Sequence, residues 1–412
     1  MKAALLREIA AEYLVPFFSG ARLVDGSIPS HTAAALVAHH GPLSIKFKVN
    51  SRDKYKLVLT RSQPFTGGSV RRVVSEIDVV RAFVEVVASM EVELEGPLRN
   101  DLLSTFQRRV VARAIRGAQH EDVMLQGIDQ LARWGTRLYE GSPISASLGF
   151  RMVREKHSIP MSTFGSCEFA AVLTNGFDTL ITFDYDGNLI GHEALPHKES
   201  AALFCPMRQI YIADWTKEND GRVALTLNRL AEILVFRSHQ LIFARRSGRW
   251  HFLTHEPVIS QMRVPRDRPL RTAIYQTCLD ASFARTGACL GVVSQENSRK
   301  WQEIVNPDDF HVRPTSSKMR ILRRVTEGAM FNKLDRRTRQ ELVAIDGATV
   351  IGHDGRILAI GAILKVRGGS EGGGRLAAAR ALSSYGLGLK VSQDGGITGF
   401  RRGETDPAFH VM

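Results

Sequence analysis

Apolar residues recur at helical spacing in three stretches of the first third of the chain. These are "MKAALLREIAAEYLVPFF", "EIDVVRAFVEVVASM" and "RNDLLSTFQRRVVARAIRG", and each predicts an amphipathic helix, the last closed by Gly117. Between the first two, "LSIKFKVNSRDKYKLVLTRS" alternates through Ile45, Phe47 and Val49, crosses a polar turn and resumes at Leu57 and Leu59, which predicts a hairpin. From "LARWGTRLYEGSPISASLGF" onward the texture turns to short strand-like runs. "FAAVLTNGFDTLITFDYDGNLIGHEAL" carries turns at Asn175-Gly176 and Asp186-Gly187, and "AEILVFRSHQLIFARRSGRWHFLTHEPVI" turns at "RSGR".

The last third mixes both periods. A helix over "LRTAIYQTCLDASFARTG" leads to a strand "ACLGVVSQE", and "RRTRQELVAI" leads to a hairpin in "DGATVIGHDGRILAIGAI". A helix "LAAARALSSYG" and a strand "LGLKVSQDGGITGF" follow. This order predicts an α/β (α+β) fold, a mixed sheet flanked by helices. Three regions are expected: a mixed α/β adaptor over 1–130, a β-rich hairpin region over 131–239 and the core domain over 240–412. No internal repeat is visible, and only "GGSEGGG" is low in complexity.

Composition changes this picture in one respect. The 412 residues are 44% hydrophobic and 24% charged, ordinary for a globular protein, but the formal charge is +13. Such a surplus attracts polyanions. The basic clusters "RRVVARAIR" and "RILRR" lack interleaved aromatics and read as polar helix faces, so a nucleic-acid surface is not expected. No apolar run reaches the ~20 residues that span a bilayer, so no membrane role is expected. Cys167, Cys205, Cys278 and Cys289 are scattered without a CxxC pair, which argues for reduced thiols in a cytosol.

Candidate chemistry gathers near the C-terminus. In "RGGSEGGGRLAAARALSS", Gly372, Gly373, Gly374 and Arg375 stand at the head of a helix, where converging N–H groups and a guanidinium suit a phosphate. The pattern is neither a GxxxxGK[ST] loop nor a GxGxxG fingerprint. Asp346 opens an apolar hairpin, where a charge costs free energy unless a cation or a row of donors meets it. The second Asp-Gly pair, at Asp354, reads as a type I′ turn. Weaker candidates are "HH" at His39 and His40, His251 and His255 on one face of a strand, and Cys167 as a nucleophile without a base. Trp134, Trp215, Trp250 and Trp301 read as core or rim and not as base-stacking platforms.

Taken in order, "LDASFARTGACLGVV", "DGATVIGHDGRILAIGAIL", "GGRLAAARALS" and "KVSQDGGIT" resemble the diadenylate cyclase domain over about residues 240 to 403. That family carries DGA, GTRHRAA and VSEExG-type motifs and makes cyclic di-AMP from ATP. The region before it, about 135 to 240, resembles the extra sheet of diverged sensor-type relatives. The resemblance implies Asp346 as a ligand of Mg²⁺ or Mn²⁺, with Gly347 and Ala348 beside it. It implies a nucleotide or dinucleotide held by Gly372, Gly373, Gly374, Arg375, Ser392 and Asp394. It also implies a bacterial signalling or phage-defence setting, with a partner effector protein and a homo-oligomer.

The sequence departs from the family where catalysis is concerned. Gly374 replaces the threonine, Leu376 the histidine and Ala377 the second arginine, while the last acids read Gln393 and Asp394. Losing a metal-holding side chain and an arginine on developing phosphate charge removes transition-state stabilisation, while binding demands less. The expected function is therefore nucleotide sensing by a diverged domain. The alternative is an active metal-dependent nucleotidyltransferase using Asp346 and Arg375, and a nucleic-acid-binding or purely structural role ranks third.

Overall fold

The computed structural model describes residues 3–24, 37–39, 43–48, 57–66, 74–97, 99–155, 159–200, 202–217, 221–312, 314–365 and 373–412. It is the mixed α/β protein expected, with helices flanking sheets that contain both parallel and antiparallel pairs. It divides into two compact units, Met1–Thr254 and His255–Met412. The expected segments 1–130 and 131–239 both lie in the first unit, and so do residues 240–254. No helix among the described residues is long and apolar enough to cross a membrane.

The first unit holds a four-stranded antiparallel sheet and a seven-stranded one. The hairpin predicted from alternation is there, with Ser44–Phe47 paired to Leu57–Thr60, and Ile45, Phe47, Leu57 and Leu59 all buried. Helix Glu76–Ser89 starts in a capping box between Ser75 and Asp78 and buries Val79, Val80, Phe83, Val84, Val86 and Val87. Helix Arg99–Arg116 ends as the glycine signal predicts, with Gly117 at φ +74°. "FAAVL" is not a strand: Glu168–Val172 is a 3₁₀ turn, and the sheet resumes at Thr179–Phe183.

The second unit is built on a six-stranded sheet. Its order is Ile357–Ala362, Ala348–Gly352, Ala288–Val293, Gly386–Val391, Ile397–Arg401 and Phe409–Val411. Helices Arg268–Ala284 and Arg336–Ala344 are tied by a buried ion pair, in which Arg336 gives both Asp280 oxygens a hydrogen bond at 2.7 and 2.9 Å. Three expectations change here. "LGLKVSQDGGITGF" is a hairpin of two strands, because Ser392–Gly396 closes a turn through Ser392 N to Gly396 O at 2.9 Å. The "HDGR" loop is not type I′, since only Gly355, at φ +89°, is left-handed. His255 is the residue before helix Glu256–Met262, buried with Nδ1 2.8 Å from the Tyr275 hydroxyl, while His251 lies on strand Arg249–Phe252. They do not share a strand face.

The chain carries one sheet plan twice. In each unit a central strand (Ala146–Phe150 or Ala288–Val293) has a parallel neighbour (Thr179–Phe183 or Ala348–Gly352) whose hairpin mate forms the next strand out. On its other side lies an antiparallel strand (Val223–Leu227 or Gly386–Val391) followed by a tight hairpin. Even the registers agree. Leu148 faces Ile181 as Leu290 faces Thr349, and Leu227 faces Ile233 as Val391 faces Ile397. The hairpin turns share left-handed residues, Ala231 matching Gly395, and the Ser238-His239 pair matching Arg402-Gly403. The repeat was not visible in the sequence because burial, not identity, preserves it. Only scraps such as "ASLG" and "ACLG", or "DYDG" and "GHDG", coincide.

A glycine seats the helix in both copies. A methyl on Gly149 would come within 2.7 Å of the Trp215 ring, and one on Gly291 within 2.8 Å of Leu382. In the second unit the contact is closer still, because a methyl on Gly388 would stand 1.7 Å from the carbonyl oxygen of Ala379 in helix Gly374–Ser383. Backbone meets backbone, so nothing there can swing aside. Gly388→Ala is accordingly expected to cost about 3 kcal/mol or more. Gly291→Ala is expected to cost less, since it meets a side chain that can repack. Denaturant unfolding of the two variants checks the order, and equal costs would contradict it.

Candidate functional site

The register of the second sheet puts the candidate residues at one end. Cys289 pairs with Ala348 in the parallel ladder, and Ala288 pairs with Val391 in the antiparallel one. Asp346-Gly347 before one strand, Gly287 before the next and Ser392 after the third therefore stand side by side. Neighbouring strands are about 4.8 Å apart, so Asp346-Gly347 and Ser392 each stand one strand spacing from Gly287, on opposite sides of it. Helix Gly374–Ser383 brings its N-terminus to the same end, since Leu382 lies over Gly291 while the Arg375 guanidinium lies against Gly287.

Arg375 is placed by a glycine. A methyl on Gly287 would come within 2.6 Å of its Nη1, and Gly287 is left-handed at φ +64°. The guanidinium is half-buried and makes no hydrogen bond or ion pair among the described residues. Below it, burial pushes the Cys289 thiol up to about 12, with the Arg375 charge pulling the other way. That thiol is inert, and all four cysteines are free.

Asp346 is exposed and likewise has no hydrogen-bond or ion-pair partner among the described residues. The cost of burial expected from its apolar surroundings does not arise, because the side chain reaches water before the strand begins. The glycine of the motif has a backbone duty. Gly347, at φ +103°, passes so close to the next strand that a methyl would lie 2.5 Å from the Gly361 carbonyl carbon. Gly361, at φ +57°, faces it in turn, its own methyl position 2.9 Å from the Asp346 carbonyl oxygen. The ladder between these strands is irregular at this point, with Ala348 paired to Ala362. Ala348 is buried in the core.

The other expected residues divide. Gly373, at φ +85°, is the N-cap of the helix, and Gly374 opens its first turn; a methyl on either would meet open space. Gly372 lies outside the described residues. Ser392 and Asp394 share the sheet end, but they serve their own turn. The Ser392 hydroxyl donates to the Asp394 carboxylate and lies 3.1 Å from Gly396 O. That hydroxyl is the main reason Asp394 sits below the usual carboxylate range, with Gly396 N–H, Lys390 and Arg285 adding to it against a smaller opposing effect of burial. The corresponding turn of the first unit is closed in the same way, Asn228 Oδ1 accepting from Leu230 and Glu232 N–H at 2.9 and 3.0 Å.

One cation was missed in the sequence. Lys318 donates to Gly361 O at 2.8 Å and to Asp309 Oδ1 at 2.9 Å, beside the Asp346 backbone. It comes from helix Ser317–Val325, in the long connection between strands Ala288–Val293 and Ala348–Gly352. Metal fit is limited. Among the described residues no three His, Cys, Asp or Glu side chains converge, and Asp394 is bonded by Ser392 while Asp346 is not bonded. His40 lies outside the described residues, and Cys167 is half-exposed with its thiol 3.6 Å from Thr163 O. Trp134, Trp215, Trp250 and Trp301 are core, as expected.

The first unit shows what the same position looks like when it is closed. Asp178 stands where Asp346 does, directly before the second strand, but it accepts from Asn175 Nδ2 at 2.6 Å and lies 2.5 Å from His197 Nε2. The His197 ring stacks on Tyr211, with centroids 4.5 Å apart. Asparagine and histidine hold the Asp178 carboxylate below its ordinary range, despite burial pushing the other way.

No family model matches the chain, and no curated protein matches it. Among solved structures, a double mutant of DacA from Staphylococcus aureus is similar over 35% of this chain and 88% of that one, at 16% identity and a TM-score of 0.24. A hypothetical membrane spanning protein from Bacillus cereus is similar over 34% of this chain and 62% of that one, at 18% identity and a TM-score of 0.25.

The two residues of "DG" have separable duties, and substitution should separate them. Gly347→Ala meets both a left-handed backbone and a close carbonyl, and is expected to cost about 2 to 3 kcal/mol. Asp346→Asn, exposed and unbonded, is expected to stay within about 0.5 kcal/mol of the parent. Urea midpoints check both. A large loss in Asp346→Asn would mean that the carboxylate is structural.

Proposed function

We propose that the second unit is a nucleotide-binding module and that its ligand sits at the sheet end shared by Asp346 and Arg375. One observation carries this reading. Among the described residues both side chains are left without a hydrogen bond or ion pair at the same end of the sheet, whereas the matching acid of the first unit, Asp178, is bonded. An unpaired guanidinium at a helix N-terminus is a phosphate site in kind, since donors and partial positive charge converge there. Open space over Gly373 and Gly374 lets a phosphate approach the backbone.

The carboxylate favours a ligand that arrives with a cation. A lone carboxylate fits Mg²⁺ or Mn²⁺ only where phosphate oxygens supply further ligands. Asp346 is the residue that would reach such an ion, and the ion would screen the repulsion between carboxylate and phosphate. Binding without turnover is favoured over catalysis. Leu376 and Ala377 replace the polar side chains of the cyclase motif, and Asp394 is occupied by Ser392. A bound nucleotide that orders this end could then signal to a partner protein, with a nucleotidyltransferase as the second reading.

Thermal unfolding of the full chain with ATP, GTP, their deoxy forms and cyclic di-AMP, each with Mg²⁺ or Mn²⁺, tests the proposal. At least one is expected to raise the midpoint, as any ligand of the folded state does. Asp346→Ala and Arg375→Ala are each expected to weaken it about tenfold, roughly one charge-assisted contact. No stabilisation by any of them would overturn the nucleotide reading. Pyrophosphate release that disappears in Asp346→Ala would replace sensing by synthesis.

A further inference from the structure

A second candidate site lies in the first unit and owes nothing to the sheet end just described. Helix Glu76–Ser89 and the last turn of helix Arg99–Arg116 enclose a cavity of about 390 Å³, a volume suited to a small molecule. Asp78, Arg81, Ala82 and Glu85 line it from one helix face, and Arg113, Arg116 and Arg237 from the facing side. The charges do not cancel. Arg81 pairs with Asp78 at 3.0 Å, and Arg113 pairs with Glu121.

Among the described residues, the hydrogen bonds of Arg116 and Arg237 go to neutral groups, with Asp78 the nearby carboxylate that acts on Arg237. Arg116 reaches Phe150 O at 3.3 Å and the Met152 sulfur, while Arg237 donates to Ile115 O at 2.6 Å. The register sets the two guanidinia at one level of the sheet, since Phe150 faces Val223 and Val223 faces Arg237. Two half-buried guanidinia without a bonded carboxylate repel one another and are poorly hydrated. Burial, and then the neighbouring Arg237, bring Arg116 down to about 10, and burial lowers Arg237 too, against the pull of Asp78. The remaining carboxylate, Glu85, has no bonded partner among the described residues and offers an acceptor across the cavity.

We propose that this cavity is a site for an organic phosphate of mononucleotide size, with its phosphate on Arg116 and Arg237 and a hydroxyl or amine facing Glu85. A phosphate oxygen supplies the counter-charge that the two guanidinia lack, and a fork of N–H donors matches its geometry.

The probe is AMP, with adenosine and inorganic phosphate as comparisons. The full chain and an Asp346→Ala variant are each treated with phenylglyoxal, and the modified arginines are mapped by peptide mass. Arg116 and Arg237 are expected to be labelled in the absence of ligand, because both guanidinia line the cavity. AMP is expected to slow both at least fivefold in both proteins, inorganic phosphate less and adenosine not at all. Calorimetry should show AMP binding weakened about tenfold by Arg116→Gln and by Arg237→Gln. No protection of either arginine by millimolar AMP overturns the proposal. Protection that vanishes in Asp346→Ala also overturns it, assigning the ligand to the other unit. Since labelling uses the parent protein, the outcome stands even if the glutamine variants do not fold.

Discussion

The second unit depends on one close approach, that of helix Gly374–Ser383 to the strands beneath it. Gly388 lets the Ala379 carbonyl touch the strand backbone, and Gly291 accepts Leu382 one strand over. A helix held this near cannot slide without losing both contacts, because interiors are packed with little spare volume. Its first turn is therefore fixed above Gly287, and the Arg375 guanidinium inherits that position. The chemistry at the sheet end follows from a packing constraint set elsewhere on the same helix.

The duplicated plan gives that constraint a comparison within one chain. Both units put a helix residue over a glycine of the central strand, an acid before the second strand and a tight turn after the fourth. They differ in what the acid meets. Asparagine, histidine and stacked tyrosine occupy the first copy, and solvent the second. The acid of the first copy is bonded within the fold, while that of the second faces water with no bonded partner among the described residues. The turn after the fourth strand is closed internally in both, so it belongs to the fold.

Positive charge is unevenly resolved across the molecule. Three of the arginines named above have carboxylate partners: Arg336 with Asp280, Arg113 with Glu121, Arg81 with Asp78. Among the described residues, Arg375 in one unit, and Arg116 and Arg237 in the other, have no bonded carboxylate. The surplus of +13 thus includes three guanidinia held in place by packing and carbonyl contacts, with no bonded carboxylate among the described residues. Mobile counter-ions meet such groups in solution, and a phosphate does so with fixed geometry.

Much of the fold was legible from local pattern alone. Alternation at Ile45, Phe47, Leu57 and Leu59 specified a hairpin, and apolar spacing with Gly117 specified a helix and its end, because these depend on neighbours close in sequence. The Asp346 and Arg375 positions were legible for the same reason, each standing next to an element boundary. Tertiary structure alone decided that Asp346 is wet and not buried, that Gly347 is required by Gly361, and that Ser392 and Asp394 bond each other. It also decided that two halves with almost no shared residues share one register. Those facts depend on which backbones approach across the sheet, and a linear pattern of apolar and polar residues carries no record of that distance.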